Sequence, residues 1–281
     1  MALNPTEKAK MRVNQIKAAE RAAEKAASTA WKQTQQGLKY TGGLPSTIGL
    51  GDYENFELTF EWKGNGQAAL GVRSMPQIAL GGNLSGTMLE ASKPETTADN
   101  APDEWNTVYV KVLNDRITVK VNGKTTLANA TLVNYSDRKQ PVADKGEILL
   151  VGQESPIEFR DMYLRELPST PLFTLSDEEK KAGFEILFDG RSMHKWTGNK
   201  TNYVPVDGTI YVDAQYGGHG NLYTIKEYSD FVYRFEFCFL REGVNNGIGI
   251  RTPMGVDAAY HGMEIQVLEQ FHYVCGIMKR S

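Results

Sequence analysis

A carboxylate, a guanidinium and an amide lie close together near the C-terminal end of the sequence, in a pattern that could bind a polar ligand. Glu264 and Gln266 alternate with apolar residues as in a strand, so their side chains point to the same face. Arg251 closes a second strand-like run, Asn245–Arg251. If the strands pair, one face carries all three groups. Because burying them would cost a large desolvation free energy, we expect that face to be wet.

These residue types suit a polar ligand. The fork of donors on Arg251 matches vicinal hydroxyls, a keto oxygen or a carboxylate. Glu264 is either the salt-bridge partner of Arg251, or a general base or metal ligand in a polar cleft. Gln266 and Asn246 would contact hydroxyl groups as neutral hydrogen-bonding side chains.

Three further residues complete the candidate set. His261 stands three residues before Glu264, although a lone loop histidine is usually only solvated and this one lacks a second histidine at metal-ligand spacing. Tyr260 and Trp196 could stack on a pyranose ring, and Trp196 could equally belong to a core. The sequence contains no nucleophile elbow, phosphate loop or zinc motif.

Composition limits the partners. The 281 residues, 41% of them hydrophobic, can bury one large core or two modest ones. A net charge of -3 without a basic stripe predicts no nucleic-acid partner. No apolar run is long enough to span a membrane, and Met1–Asn4 lacks the apolar core of a secretory signal. Cys238 lies in an aromatic strand pattern, which favours a buried thiol over a disulfide with Cys275.

The elements that must position these residues follow a period of two. Apolar and polar residues alternate over Phe56–Glu61 and again over Val108–Val112. Asn114-Asp115 and Asn122-Gly123 are turn signals that flank another strand. With strands at 148–151 and 157–164, the pattern predicts an antiparallel sandwich.

Two helices are predicted outside this pattern. Residues 4 to about 30 form an Ala-rich basic helix that we expect to pack on the following domain, with a membrane-surface or partner helix as the alternative. Pro168 and Pro171 mark a linker. Ser176 and Glu179 then form a capping box for a short helix that Gly183 closes.

The chain repeats itself. Asp52–Glu61 reappears as Glu227–Glu236, and Gly71-Val72-Arg73 reappears as Gly249-Ile250-Arg251. We therefore predict two copies of one domain. The expected organisation is a helix at 1–36, a first copy at 37–167, a linker and short helix at 168–183, and a second copy at 184–281.

Three segments resemble one family. Asn245–Arg251, Gly262–Glu269 and Phe184–Trp196 resemble the 3-keto-disaccharide hydrolase family. That resemblance implies a concanavalin A-like jelly-roll sandwich that acts on an oligosaccharide or keto-sugar. It also implies a mechanism in which Glu264 is the base and Arg251 or a divalent cation polarises the ketone. Members of the family are often periplasmic or secreted, so the localisation stays open.

Both copies depart from the family pattern. The first keeps Arg73 but has no carboxylate at the position of Glu264 and lacks the opening strand, so we expect it to be non-catalytic. A carbohydrate-binding or structural module is the alternative function. The tail 271–281 does not resemble the family, which predicts a truncated second copy. We therefore expect weak or no turnover, protease sensitivity beyond about residue 184 and self-association through an open sheet edge.

Overall fold

The computed structural model describes residues 30–89, 98–137, 140–212, 220–268 and 275–277. All but the end of the predicted N-terminal helix lies outside the described residues. The chain divides into two compact units. Unit 1 comprises the described residues to Thr174, with Asp189–His194 and Pro205–Thr209, and unit 2 comprises the remainder.

Unit 1 is a sandwich of two antiparallel sheets. Its strands are β1 (Trp31–Gln33), β2 (Gly37–Tyr40), β3 (Ser46–Tyr53), β4 (Phe56–Gly64), β5 (Ala68–Gly71), β6 (Gln77–Leu80), β7 (Asn106–Leu113), β8 (Arg116–Val121), β9 (Lys124–Thr131), β10 (Gly146–Gly152) and β11 (Ile157–Glu166). One sheet has the order β1-β2-β11-β4-β7-β8-β9 and the other the order β3-β10-β5-β6. The predicted mainly β jelly-roll class is confirmed.

Alternating apolar residues fill the space between the sheets. Phe56 and Phe60 on β4 are fully buried, and the ring of Phe60 lies 6.1 Å from that of Phe159 on β11. Trp31 packs its ring 5.3 Å from Tyr40 and 5.9 Å from Phe159. Because Trp31 belongs to this core and β1 to its sheet, residues 31–33 are part of the sandwich, and the boundary predicted after residue 36 is corrected.

The predicted turns form as expected. Asn114 and Asn122 both adopt the left-handed backbone conformation, with φ of 55° and 48°, between β7, β8 and β9. Asparagine tolerates this conformation better than most residues, which explains its place in both hairpins.

Beyond Thr174 the strands are short and pair two by two. They are β12 (Trp196–Gly198), β13 (Tyr203–Val206), β14 (Thr209–Val212), β15 (Leu222–Thr224), β16 (Glu236–Cys238), β17 (Asn245–Ile250), β18 (Met263–Leu268) and β19 (Cys275–Ile277). The pairs are β12–β15, β13–β14, β16–β19 and β17–β18. The helices are α1 (Asp177–Lys181) and α2 (Ala258–His261). The capping box predicted for α1 is present, with both reciprocal hydrogen bonds between Ser176 and Glu179.

The opening strand predicted at Leu187–Gly190 is wrong. Asp189 instead accepts hydrogen bonds at Oδ1 from the backbone N–H groups of Arg191 and Ser192, both at 2.8 Å, and so forms a turn. Met193, which is fully buried, donates its N–H to Oδ2 of Asp115 at 2.8 Å. The segment Asp189–His194 is therefore anchored within unit 1.

The strand expected from the repeat at residues 227–236 is also shorter than predicted. Only β16 forms, and it pairs with β19 alone in the described chain; before it, the ring centroids of Tyr233 and Phe235 lie 5.1 Å apart. Cys238 on β16 is a free, exposed thiol, so the prediction of a buried one is corrected. Its backbone partner across the ladder is Cys275.

Across the described ranges, no helix combines the length and apolar character that a membrane crossing requires.

Candidate functional site

The β17–β18 hairpin displays one face built from glycines and polar side chains. In its antiparallel register Gly249 opposes Glu264 and Gly247 opposes Gln266. Directly opposed residues project to the same side of a sheet, so these four share a face, which we call the glycine face. The predicted pairing of Glu264 and Gln266 on one face agrees with this register.

The carboxylate of Glu264 lies across the sheet over Gly247. A Cβ on Gly247 would come 2.1 Å from Oε1 of Glu264, so glycine leaves the space that the carboxylate occupies. Glu264 is half-buried and Gln266 is exposed. The carboxylate is therefore held against backbone while one side remains open.

Helix α2 covers the neighbouring part of this face. A Cβ on Gly249 would lie 2.6 Å from the Cβ of Ala258, the first residue of α2. The same helix carries Tyr260, which is 83% exposed, and His261, which is exposed. Because α2 packs against the glycine face, these two candidates belong to the same part of unit 2 as Glu264.

Arg251 contacts the backbone of Ser229. Its Nη2 donates to the carbonyl oxygen of Ser229 at 3.1 Å, and its backbone has a φ of 54°. The same contact occurs in unit 1, where Nη2 of Arg73, with φ 50°, donates to the carbonyl oxygen of Glu54 at 2.6 Å. We call each of these contacts an arginine clamp. Arg73 is buried, whereas Arg251 is exposed.

An aromatic pair accompanies each clamp. Tyr53 and Phe56 meet edge to face with centroids 6.2 Å apart and ring planes at 62°. Tyr228 and Phe231 do so at 6.3 Å and 67°. The two pairs occupy the positions that the sequence repeat aligned.

The counterpart of Glu264 in unit 1 is an amide. Gln77 opposes Gly71 across β5–β6 as Glu264 opposes Gly249, and Ala79 opposes Ala69 as Gln266 opposes Gly247. An amide cannot act as a base at neutral pH, so unit 1 lacks the ionisable group of the glycine face.

Asn246 lies on the face of the β17–β18 hairpin opposite the glycine face. It opposes Val267, on the side of β17–β18 away from Glu264. Its Oδ1 accepts the N–H of Gly247 at 2.8 Å, and its side chain hydrogen-bonds Tyr203. Burial raises the pKa of the Tyr203 hydroxyl, while the Asn246 hydrogen bond opposes that rise. Tyr203 was not a candidate from the sequence, because no spacing links β13 to β17.

Trp196 is tied to the backbone rather than to the glycine face. On β12 its Nε1 donates to the carbonyl oxygen of Leu187 at 2.8 Å. Its ring is half-buried.

Within the described part of the chain, no three His, Cys, Asp or Glu side chains come together as a metal site requires. A divalent cation at the ketone stays a prediction.

Comparison with known proteins identifies the family. A family model described as a 3-keto-alpha-glucoside-1,2-lyase-like domain matches residues 23–165 and 183–280. The second segment reaches into the tail 271–281, which the motifs had placed outside the resemblance. The search of curated proteins finds no match.

Several solved structures are similar to parts of the chain. A proposed glycosyl hydrolase from Parabacteroides distasonis shares 15% identity, with 59% of this chain and 99% of that chain covered and a TM-score of 0.43. The carbohydrate-binding module CBM66 from Bacillus subtilis shares 13% identity, with 50% and 92% covered and a TM-score of 0.37.

The two segments that the family model matches contain most of the chain. They include both arginine clamps and the whole β17–β18 hairpin with its glycine face. The chain therefore belongs to the 3-keto-alpha-glucoside-1,2-lyase-like domain family.

Proposed function

We propose that unit 2 carries the site for cleavage of the glycosidic bond of a 3-keto-glycoside by elimination, with Glu264 as the base, and that turnover by this chain is weak, as the sequence predicts. The observation that carries the proposal is the half-open carboxylate of Glu264 on the glycine face, within a segment that the family model matches. A base must reach its proton directly, and glycines on the opposing strand let a substrate approach the carboxylate closely.

The chemistry needs a ketone beside the bond that breaks. A carbonyl at C3 makes the C2 proton acidic, and Glu264 takes that proton. The electron pair left on C2 forms the C1–C2 double bond as the C1–O bond breaks, and the departing oxygen gains a proton. Water then adds across the double bond to give the free keto-sugar. The other donors of the Arg251 guanidinium could polarise the ketone while Nη2 holds Ser229.

Glu264→Gln tests the base directly. The amide keeps the size of the side chain but cannot take a proton, so turnover should fall by about 10²- to 10⁴-fold. The assay follows release of sugar from 3-keto-trehalose by chromatography. Glu242→Gln, which changes an exposed carboxylate elsewhere in unit 2, is the matched control and should keep the parental rate. Parental turnover by Glu264→Gln would remove Glu264 as the base.

A second function is favoured for unit 1. We take the two matched segments as two copies of the domain. The amide Gln77 at the Glu264 position then supports a non-catalytic, carbohydrate-binding or structural role for the first copy. If the chain as a whole is a binding module rather than an enzyme, it should show saturable sugar affinity with no turnover, and the same chromatographic assay separates these two classes.

A further inference from the structure

The two cysteines of the chain stand opposite each other on one short ladder of unit 2. Strand β16 pairs with β19 in an antiparallel register that aligns Cys238 with Cys275. The next pair along the ladder is Phe237 with Gly276. Directly opposed residues lie on the same side of a ladder, so both cysteines occupy the side away from Phe237. The sequence contains two cysteines in all, so this register brings together every thiol of the protein.

The backbone spacing of such a ladder meets the requirement of a disulfide. Opposed residues of an antiparallel pair have Cα atoms about 4.5 or 5.5 Å apart, depending on whether they exchange hydrogen bonds. A disulfide needs a Cα separation of about 4.4–6.8 Å, so either type of pair can be bridged while the strands stay in place. A cysteine displaced by one residue would lie on the other face of the ladder and could not be bridged in this way.

Solvent can reach the thiol of Cys238. Its side chain is exposed, and its Sγ donates a weak hydrogen bond to the carbonyl oxygen of Phe239 at 3.8 Å. An oxidant in solution can therefore react with it. We infer that Cys238 and Cys275 form a cross-strand disulfide, with a small-molecule disulfide such as oxidised glutathione as the oxidant.

The oxidation consists of two thiol–disulfide exchanges. The thiolate of Cys238 attacks one sulfur of oxidised glutathione, which breaks the glutathione S–S bond, forms a mixed disulfide and releases one reduced glutathione. The thiolate of Cys275 then attacks the Cys238 sulfur and releases the second glutathione. The two thiol protons end on the two glutathione thiols, and oxidised glutathione takes up the two electrons.

The disulfide closes a loop that contains the glycine face. Between the two cysteines the chain forms β17, α2 and β18, which carry Gly249, Ala258 and Glu264. A covalent link at the ends of this loop restricts its unfolded states, so local unfolding of the loop should become rarer. The inference concerns the thiols alone and is independent of whether Glu264 acts as a base.

The test incubates the intact chain with a mixture of oxidised and reduced glutathione and identifies the products by mass spectrometry. The parent should lose two hydrogen atoms, run as a single chain on a non-reducing denaturing gel, and give a linked peptide that contains both cysteines. The matched control moves one cysteine by a single residue, in the double variant Cys275→Ser, Gly276→Cys. Because position 276 opposes Phe237 on the other face, this variant should form about a tenth or less of the parental intramolecular disulfide.

Trypsin measures the effect of the disulfide on the loop. Arg251 is exposed within it, and cleavage after Arg251 should be about tenfold slower in the oxidised parent than in Cys238→Ser treated in the same way. The disulfide is refuted if the parent instead carries glutathione on both thiols or forms disulfides between chains. Equal closure in the register-shifted variant would refute the role of the β16–β19 ladder, and equal cleavage rates would refute the protection of the loop.

Discussion

At the residue scale, the arginine clamps join a backbone carbonyl to a guanidinium in both units. Arg73 is 4% exposed and donates to two carbonyl oxygens, those of Glu54 and Ala143. Arg251 is exposed and donates to the carbonyl oxygen of Ser229. The clamp should therefore contribute more to the free energy of unfolding in unit 1 than in unit 2.

Alanine substitution should expose that difference. Arg73→Ala removes a buried side chain and leaves the part-buried carbonyl oxygens of Glu54 and Ala143 without this donor, so it should destabilise the protein by about 3 kcal/mol. Arg251→Ala removes a solvated hydrogen bond and should cost less than about 1 kcal/mol. Urea unfolding of the two variants measures both values. Equal losses would contradict the assignment of Arg73 as the buried clamp.

Tyr109 gives unit 1 a pH dependence. Burial, followed by its hydrogen bond to Glu57 at 3.0 Å, raises the pKa of the Tyr109 hydroxyl to about 12. The unfolded chain releases this proton near pH 10, before the folded protein does. The stabilisation is therefore complete below pH 10 and disappears as the pH rises towards 12.

In Tyr109→Phe the free energy of unfolding should fall less as the pH rises. Because the ring is partly solvated, the parent should lose only about 1 kcal/mol more than the variant over this pH range. Urea unfolding at pH 9 and pH 11.5 gives the difference. The control is Tyr163→Phe. Tyr163 lies opposite Thr59 on β11, as Tyr109 does on β7, so this variant removes a hydroxyl from the same row of the sheet and should follow the parent. A parental profile in Tyr109→Phe would refute the role of this hydroxyl.

Sequence reasoning finds some site residues and not others, for a physical reason. Period-two alternation places Glu264 and Gln266 on one face because that geometry is local to a strand. Asn246 was grouped with them by composition, yet the ladder register turns it to the opposite face. The contact of Arg251 with Ser229 depends on tertiary packing, which no spacing reports.

At the element scale, the glycine face depends on the absence of side chains at Gly247 and Gly249. Gly247→Ala adds a methyl group that meets the Glu264 side chain from Cγ to Oε1 and no backbone atom among its three nearest contacts, and alanine suits a strand better than glycine. Stability should stay within about 1 kcal/mol of the parent, but the displaced carboxylate should slow 3-keto-trehalose turnover by tenfold or more, roughly.

Gly249→Ala is the comparison. Its new Cβ meets the Cβ of Ala258, so it should move α2 and lower both stability and turnover. Thermal unfolding with the chromatographic assay distinguishes the two variants. Full activity in Gly247→Ala would show that the position of the Glu264 carboxylate does not limit the reaction.

An alternating sequence pattern forms the predicted strand most reliably where neighbouring strands pair with it on both sides. The alternation over Phe56–Glu61 becomes β4 because β7 and β11 flank it on both sides. Its repeat at Glu227–Glu236 forms a strand only at its end, since β16 has a single partner in the described chain. The predicted strand before Gly190 is replaced by a turn because Asp189 satisfies two backbone donors itself.

At the scale of the whole molecule, burial is uneven. The large core lies in unit 1, whereas unit 2 exposes Val232, Leu240 and Met263 by more than half of their surface. Two-stranded sheets are marginally stable alone. We expect proteases to digest unit 2 first, as the sequence predicted beyond residue 184, while self-association stays a prediction.

The resistant fragment should end later than the linker suggests. Arg191 forms an ion pair with Glu54 at 3.2 Å, and Met193 is buried, so a fragment should extend past His194 rather than stop near Leu167. Mass spectrometry of the trypsin-resistant product gives its end. Met193→Ala, which should cost about 2–5 kcal/mol, should shorten the fragment. A parental fragment that ends near Leu167 would contradict this anchoring.

The hydrogen bond between Met193 and Asp115 also sets an order for folding on the ribosome. The two residues are 78 positions apart. At synthesis rates of about 5–20 residues per second, Asp115 emerges roughly 4–16 seconds before its partner. The nascent sandwich can close its two sheets in that interval, but the Met193 anchor arrives only after α1 has been made. Unit 1 is therefore completed by a segment that the ribosome delivers late.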